Sequence, residues 1–221
     1  MKKLLPIFFL LLSTSLQGCS QARIHNRAFD ATFALYAEKG DKSRFVCTAT
    51  AYEQLPESYH LITAGHCVLG YADNGVTFSV AKTIRSPRRG VKVVKAMRQG
   101  SIDFAVLEMI TRETYATIPL AEKYTGQVGE RVFSPNFSEG LDEQLAEGLI
   151  ASDVMTDGYE RFIVHLFGGP GMSGAAIVSE RTHTVIGIVT TRYSSNVGLG
   201  GEPITLFYTF LHTNVLTYNN E

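Results

Sequence analysis

Several features that mark other classes of protein are scarce in this sequence. It holds 20 Lys and Arg against 21 Asp and Glu, so it lacks the basic excess typical of nucleic-acid-binding domains. Its apolar run near the start, residues 4–12, is too short to cross a bilayer as a helix, which takes about 20 residues. No amphipathic segment of three helical turns follows it. The sequence predicts neither a nucleic-acid partner nor a helical fold.

Basic residues are densest between Lys82 and Arg98, where seven occur. Val91, Val93 and Val94 lie among them, which is the pattern of a strand with one solvated face. Contact with acidic lipid headgroups is the alternative for this stretch if the protein is held at a membrane.

The first residues have the pattern of an export signal. Two lysines precede the apolar run of residues 4–12, and Leu-Gln-Gly-Cys at 16–19 follows. A positive start, a short apolar run and a small residue at the exit are typical of a secretory signal, here residues 1–18. An uncleaved anchor helix is disfavoured because the run is short.

Residues 16–19 resemble a bacterial lipobox, in which cleavage precedes a cysteine that is then acylated. Gln17 stands where a smaller residue is more usual, and the alternative is a plain secretory signal. Acylation of Cys19 would anchor the protein to the bacterial envelope, and residues 19–29 would be a short spacer. Ser20 after the cysteine indicates the outer membrane, facing the periplasm, in a Gram-negative cell.

Only three cysteines are present, which limits the covalent framework. With Cys19 assigned to lipid, Cys47 and Cys67 remain, and an exported protein normally oxidises such a pair. A disulfide closing this 20-residue loop would contribute about 3 kcal/mol in the chain-entropy model. The alternative is two buried thiols in a reducing compartment. Neither cysteine has a second ligand at zinc spacing, so we predict no metal site.

The remaining chain is divided into short apolar or alternating runs bounded by Gly, Asp, Ser and Pro. About a dozen such runs predict an all-β barrel or sandwich. The polar stretch 111–129 is the expected crossing between two halves, and helical turns are expected only near 64–68 and 211–218. The predicted strands are 31–37, 45–52, 59–63, 76–81, 91–97, 104–110, 131–134, 149–154, 162–167, 175–179, 184–191 and 204–211.

Three local clusters carry candidate chemistry. The first is an apolar strand that ends in small residues and delivers His66 beside Cys67. A histidine can act as a general base near neutral pH. The second is Asp103, which opens the apolar strand 104–107 and needs a partner there, such as an imidazole N–H.

The third cluster is the glycine-rich stretch 168–175 around Ser173. Its glycines allow backbone angles closed to other residues. The N–H groups of Gly171 and Ser173 can then point at one position, where they would stabilise an oxyanion. Ser173 would be the nucleophile.

Taken together, the clusters around His66, Asp103 and Ser173 resemble the three signatures of the trypsin-like (chymotrypsin-fold) serine peptidases. They occur in that family's order, with separations of 37 and 70 residues. The order differs from that of α/β-hydrolases and subtilisins. The resemblance implies a peptidase domain over 30–221 with two six-stranded antiparallel β-barrels and the triad in the cleft between them. It also implies a polypeptide substrate and no cofactor, and we expect a monomer.

Two departures from that family bear on activation and specificity. Met172 precedes the serine where digestive members have an aspartate that receives a new N-terminus, so we expect activity without proteolytic activation. Phe167 lies where the base of the primary pocket is expected, so no acid is available there for Lys or Arg.

The substrate-pairing strand of such an enzyme would include Thr190, Thr191 and Arg192. Arg192 replaces a common glycine, and three interpretations stay open: it narrows the pocket, pairs with an acidic substrate, or points to solvent.

The sequence thus predicts a serine endopeptidase that works through an acyl-enzyme on Ser173. The alternative is a tethered binding module that kept the fold and lost catalysis.

Overall fold

The computed structural model describes residues 21–71, 75–156, 160–193 and 198–213. The predicted signal, Cys19 and most of the helical turn expected at 211–218 lie outside these residues. Within the described part of the chain, no helix combines the length and the apolar character needed to cross a membrane.

The first half of the chain forms a closed antiparallel barrel of six strands. Around the barrel the strands follow the order β1, β2, β3, β6, β5, β4, with β4 returning to pair with β1. Their bounds are β1 Thr32–Lys39, β2 Lys42–Gln54, β3 Ser58–Thr63, β4 Thr77–Ala81, β5 Arg89–Gln99 and β6 Ile102–Ile110.

The second half forms another closed six-stranded barrel, in the order β10, β11, β12, β9, β8, β7. The chain between the barrels, from 111 to 130, has no strand beyond one bridge of Leu120 to Val185. The prediction of two six-stranded antiparallel barrels is confirmed. The bounds are β7 Arg131–Asn136, β8 Gln144–Thr156, β9 Glu160–His165, β10 Ala176–Ser179, β11 Val185–Arg192 and β12 Leu199–Pro203.

Apolar residues of the strands fill both barrels and the space between them. In β6, the segment from Phe104 to Leu107 is buried on both faces, which explains its unbroken apolar sequence. The main core continues from there into the second barrel through Phe133 and Val178. Buried apolar side chains therefore close the bottom of the cleft between the barrels.

The spacer predicted at 19–29 stays a prediction, and its described part lies in a helix, α1, of residues 21–30. Its Ala28 is buried and Ile24 packs against the main core. Lys82 of the loop after β4 donates to the carbonyls of Phe29 (2.5 Å) and Thr32 (2.7 Å) at the end of the helix. A cation at a helix C-terminus is favoured by the helix dipole. The segment is part of the domain.

The strand expected at 204–211 is wrong. Residues Ile204–His212 form helix α3, and the true last strand is β12, Leu199–Pro203. Phe207 and Phe210 of the helix are fully buried, and Phe104 of the first barrel packs against both. Lys95 of β5 donates to the carbonyl of Leu211 at 2.9 Å. The end of the second half of the chain thus covers the first barrel.

Candidate active site

His66 begins the short helix α2, His66–Leu69, directly after strand β3. The residue before it, Gly65, has a φ of −60°, which any residue adopts. A Cβ on Gly65 would nevertheless overlap the carbonyl oxygen of Met97 and lie 3.0 Å from Asp103 Oδ1. A glycine is therefore needed before the histidine, because the backbone there runs very close to Met97 and Asp103.

Asp103 holds His66 at two points. Its Oδ2 lies 2.7 Å from His66 Nδ1, and its Oδ1 accepts the backbone N–H of His66, also at 2.7 Å. The Asp103 side chain is 7% exposed and that of His66 is 25% exposed. The buried acid thus fixes both the imidazole and the chain that carries it, and leaves Nε2 for proton transfer.

A disulfide joins Cys47 of β2 to Cys67 beside the histidine. The predicted pairing of these two cysteines is confirmed. The bond links the turn that carries His66 to strand β2, which also contacts the loop of Ser173.

Ser173 lies in the turn before β10 and is half-buried. Its carbonyl accepts the N–H of Thr48 at 3.0 Å, and the N–H of Gly174 donates to Val189 O at 2.7 Å. Gly174 has a φ of +80°, and a Cβ there would overlap Thr48 O and Thr63 Oγ1. The serine is thereby held at the seam between the barrels, next to the strand that leads into His66.

The peptide groups around Ser173 are oriented so that two N–H groups stay unused. Pro170 O accepts the N–H of Glu139 at 2.6 Å, so the trans peptide points the Gly171 N–H the opposite way. Met172 O accepts the N–H of Ala175 at 3.0 Å. The N–H of Ser173, in the same peptide group as this carbonyl, therefore points the opposite way. Neither N–H has a hydrogen-bond partner among the described residues. Such a pair of free donors suits an oxyanion.

One expected contact is not formed in this structure. Within residues 21–71, 75–156, 160–193 and 198–213, no hydrogen bond joins Ser173 Oγ to the imidazole of His66. In enzymes without substrate, the contact between nucleophile and base is often long and tightens in the complex. The structure thus brings His66 and Asp103 into direct contact and holds Ser173 against Thr48, on the strand that the disulfide joins to Cys67.

A cavity of about 150 Å³ opens next to Ser173. Thr191 and Arg192, predicted from the sequence to be part of a substrate-pairing strand, line it. Thr190 does not line it, and its side chain is buried. Phe167, expected at the base, is also absent from the lining and is 89% exposed. The other lining residues are Gly169, Pro170, Met172, Val189 and Leu199.

Met172 and Val189 form the buried wall of this cavity and belong to the core of the second barrel. The lining contains no carboxylate. Arg192 is exposed at the mouth and forms no ion pair with another described residue. A second, polar cavity of about 410 Å³ lies on the other side of Thr191 and reaches Arg98 and Asp103.

Sequence patterns missed three residues that support the site. Thr48 Oγ1 donates to Gly171 O at 2.9 Å, and Glu139, with a φ of +59°, supplies the N–H that holds Pro170. Glu202 of β12 accepts the backbone N–H of Asp103 at 2.6 Å. Their partners are 31 to 123 residues away, so no local motif could reveal them.

The pKa of Glu202 is raised to about 8, chiefly by burial and also by the neighbouring carboxylate of Asp103, while the Asp103 N–H and Arg161 act in the opposite direction. The acid is therefore mostly protonated at neutral pH. A neutral carboxyl group can lie behind Asp103 without placing a second negative charge there.

In the described part of the chain, two groups of side chains have the composition of a metal site. One contains Cys47 and Cys67 with His66, but its cysteines form the disulfide. The other joins His25 of α1 to Glu147 and Glu180. There the guanidinium of Arg131 donates to Glu180 at 2.9 Å, so an arginine already supplies the positive charge that a metal ion would bring to this group.

Two closed six-stranded barrels, with a histidine–aspartate pair and a serine loop at their seam, define the chymotrypsin-like class of serine peptidase folds. The sequence profile of the trypsin-like peptidase domain matches residues 45–188, which is more than half of the chain. The chain belongs to this family. No curated protein sequence matches it.

Solved structures share the fold at low sequence identity. The serine endoprotease from Yersinia pestis is 18% identical, over 86% of this chain and 65% of that chain, with a TM-score of 0.69. The HtrA-type protease AlgW, solved with a tripeptide, is 21% identical over 86% of this chain and 62% of that one, with a TM-score of 0.70. The present chain therefore spans somewhat less than two thirds of the length of these relatives.

Proposed function

We propose that this protein is an active serine endopeptidase with the triad His66, Asp103 and Ser173. One observation carries the proposal: both oxygens of the buried Asp103 hold His66, at 2.7 Å each, beside the serine loop. Because a buried carboxylate favours the imidazolium that forms during proton transfer, this arrangement suits a general base.

In the proposed mechanism, His66 Nε2 takes the hydroxyl proton of Ser173 while Oγ attacks the carbonyl carbon of the substrate. The N–H groups of Gly171 and Ser173 receive the resulting oxyanion. His66 then gives its proton to the leaving amine as the peptide bond breaks. Water, activated by the same imidazole, hydrolyses the acyl-serine and restores the hydroxyl.

Proteolytic activation is not part of this proposal. Met172 is buried among apolar side chains of the second barrel, and its thioether offers no charge to a new N-terminal ammonium. The turn around Ser173 is held instead by hydrogen bonds to Thr48, Val189 and Glu139. We therefore expect the uncut chain to be active.

The uncut, disulfide-bonded chain is expected to react with a fluorophosphonate probe, because covalent capture requires an activated serine. Mass spectrometry should place the adduct on Ser173. Ser173→Ala should abolish labelling and His66→Ala should nearly abolish it, while the exposed control Ser43→Ala should label normally. A folded wild type that does not label would favour the binding module that lost catalysis.

We also propose that the peptidase is tethered to the bacterial envelope through acylated Cys19. The lipobox-like residues 16–19 support this, and α1, which packs on the first barrel from residue 21, would hold the domain close to the membrane. Multiple acyl chains give stable anchoring, whereas one binds weakly.

Cys19→Ser is accordingly expected to move the protein from the membrane fraction to the soluble fraction, because serine lacks the thiol that would carry the lipid. Fractionation with mass spectrometry of the N-terminal peptide measures this, and Ser20→Ala is the matched control. A wild type that is soluble and carries a free Cys19 would contradict the tether.

A further inference from the structure

Glu202 makes a contact that crosses from one barrel to the other. It lies in β12 of the second barrel, opposite Ile188 of β11, and is fully buried. Its Oε1 accepts the backbone N–H of Asp103 at 2.6 Å. Asp103 opens β6 of the first barrel, 99 residues earlier in the chain. The aspartate that holds His66 is thus itself held from the opposite barrel.

We propose that Glu202 is a positioning residue for catalysis: its carboxyl group fixes the backbone of Asp103 across the seam, and through it the imidazole of His66. This rests on the proposed function. Each of the three polar groups that Asp103 offers near the site has one partner, since both carboxylate oxygens bind His66 and the N–H binds Glu202. A shift of about 1 Å in such a group can cost a hundredfold in rate.

The environment of Glu202 makes this contact sensitive to pH. The charged groups that face it are Asp103 from β6 and Arg161 from β9, and paired strand β11 places uncharged Ile188 opposite it. Its other oxygen, Oε2, is buried and has no hydrogen-bond partner among the described residues. Ionisation would place a second carboxylate beside Asp103 in a buried site, which is unfavourable.

The sign of the pH effect follows from the raised pKa of about 8 against the ordinary 4.5. Between these values the folded state keeps the proton that the unfolded chain has lost. The contribution of Glu202 to the free energy of unfolding therefore falls as the pH rises from 4.5 to 8, and it stays low above that. Ionisation strengthens the hydrogen bond from the Asp103 N–H, but burial and the neighbouring Asp103 carboxylate disfavour the new charge more strongly, so the charged form of Glu202 is the less favourable one in this site.

The test compares Glu202→Gln with Glu202→Ala in the full chain, with the rate of fluorophosphonate labelling measured from pH 5 to 10. Glutamine is neutral and its carbonyl oxygen can still accept the Asp103 N–H, whereas alanine cannot. We expect Ala to lower the rate at pH 7 about tenfold to a hundredfold, and Gln to rescue most of that loss. The wild type should lose rate above pH 8, and Gln should remove this alkaline decline.

The matched control is Glu143→Gln. Glu143 is a partly buried acid, with its pKa raised to about 7 chiefly by burial, but it faces Lys82 at 3.9 Å and does not touch the triad. Its replacement should leave the pH profile of labelling unchanged. The pH dependence of unfolding, measured in a Ser173→Ala background, should flatten between pH 5 and 8 in Glu202→Gln without any need for activity.

The outcomes separate the two proposals. A wild type that labels, with a Gln variant that keeps the alkaline decline, overturns the role of Glu202, even if the Ala variant fails to fold. Labelling of Ala at the wild-type rate overturns it as well. A wild type that labels at no pH contradicts the peptidase function itself, and with it the catalytic role of Glu202, while the unfolding curves still report whether Glu202 is a buried, protonated acid.

Discussion

Asp103→Asn is expected to slow the labelling of Ser173 about 10⁴-fold while the fold is retained. Both oxygens of Asp103 accept hydrogen bonds, one from the ring of His66 and one from its backbone N–H. An amide offers only one acceptor, so its NH₂ group must face one of these donors. The imidazole is then driven toward the tautomer that cannot receive the serine proton, or it turns away.

The measurement is the second-order rate constant of labelling, together with a thermal unfolding curve. Asp41→Asn, in the exposed turn between β1 and β2, is the control for the loss of one negative charge and should label at the wild-type rate. If Asp103→Asn labelled within tenfold of the wild type, His66 would not depend on Asp103, and the proposed triad would be wrong.

Gly65→Ala is expected to lower the free energy of unfolding by about 3 kcal/mol, at the upper end for overpacking, because the backbone of Met97 is the group in the way. The same methyl group would press on Asp103 Oδ1, so labelling of Ser173 should also slow about a hundredfold. The loss of stability comes from steric overlap alone, since alanine tolerates the φ of −60°.

Denaturant unfolding and the labelling rate measure these two effects in one protein preparation. Gly90→Ala is the matched control, since a Cβ on Gly90 of β5 meets no atom within 4 Å. That variant should unfold and label like the wild type. Equal stability of the two alanine variants would show that the chain at residue 65 has more room than the structure gives it.

Local patterns were sufficient for eleven of the predicted strands because each is a short apolar run between turn residues. The exception shows the limit of this signal. Strand β12 is poor in side chains because Gly200 and Gly201 lie in it, and a Cβ on Gly201 would lie 2.5 Å from the ring of Phe162. These positions need glycine because a neighbouring strand packs closely against them. That contact is made in the fold and cannot be recognised in the local sequence.

Helices α1 and α3 were missed for a related reason. Residues 21–30 are mostly polar, and their helix is held by Ala28, Ile24 and the distant Lys82. Ile204–His212 is rich in apolar residues on most sides, so its period favours neither helix nor strand. In both segments, tertiary packing decides the secondary structure.

The residues of the candidate site also differ in whether local sequence patterns could predict them. His66, Asp103 and Ser173 were predictable because short motifs surround each of them and their order is informative. Phe167 was placed in the pocket by counting along the chain, and the loop instead turns its side chain to solvent. Thr48 and Glu202 act through single hydrogen bonds across the two barrels, so only the fold reveals them.

The position of α3 governs how the protein can be made. Phe207 and Phe210 belong to the same core as the strands of the first barrel, although they follow every strand of the second barrel in the chain. A nascent chain therefore carries the complete set of strands of that barrel long before it carries the residues that cover Phe104. The order of synthesis and the order of core completion differ, so the two barrels do not form two independent folding units. The molecule is expected to reach its native state only after α3 has been synthesised.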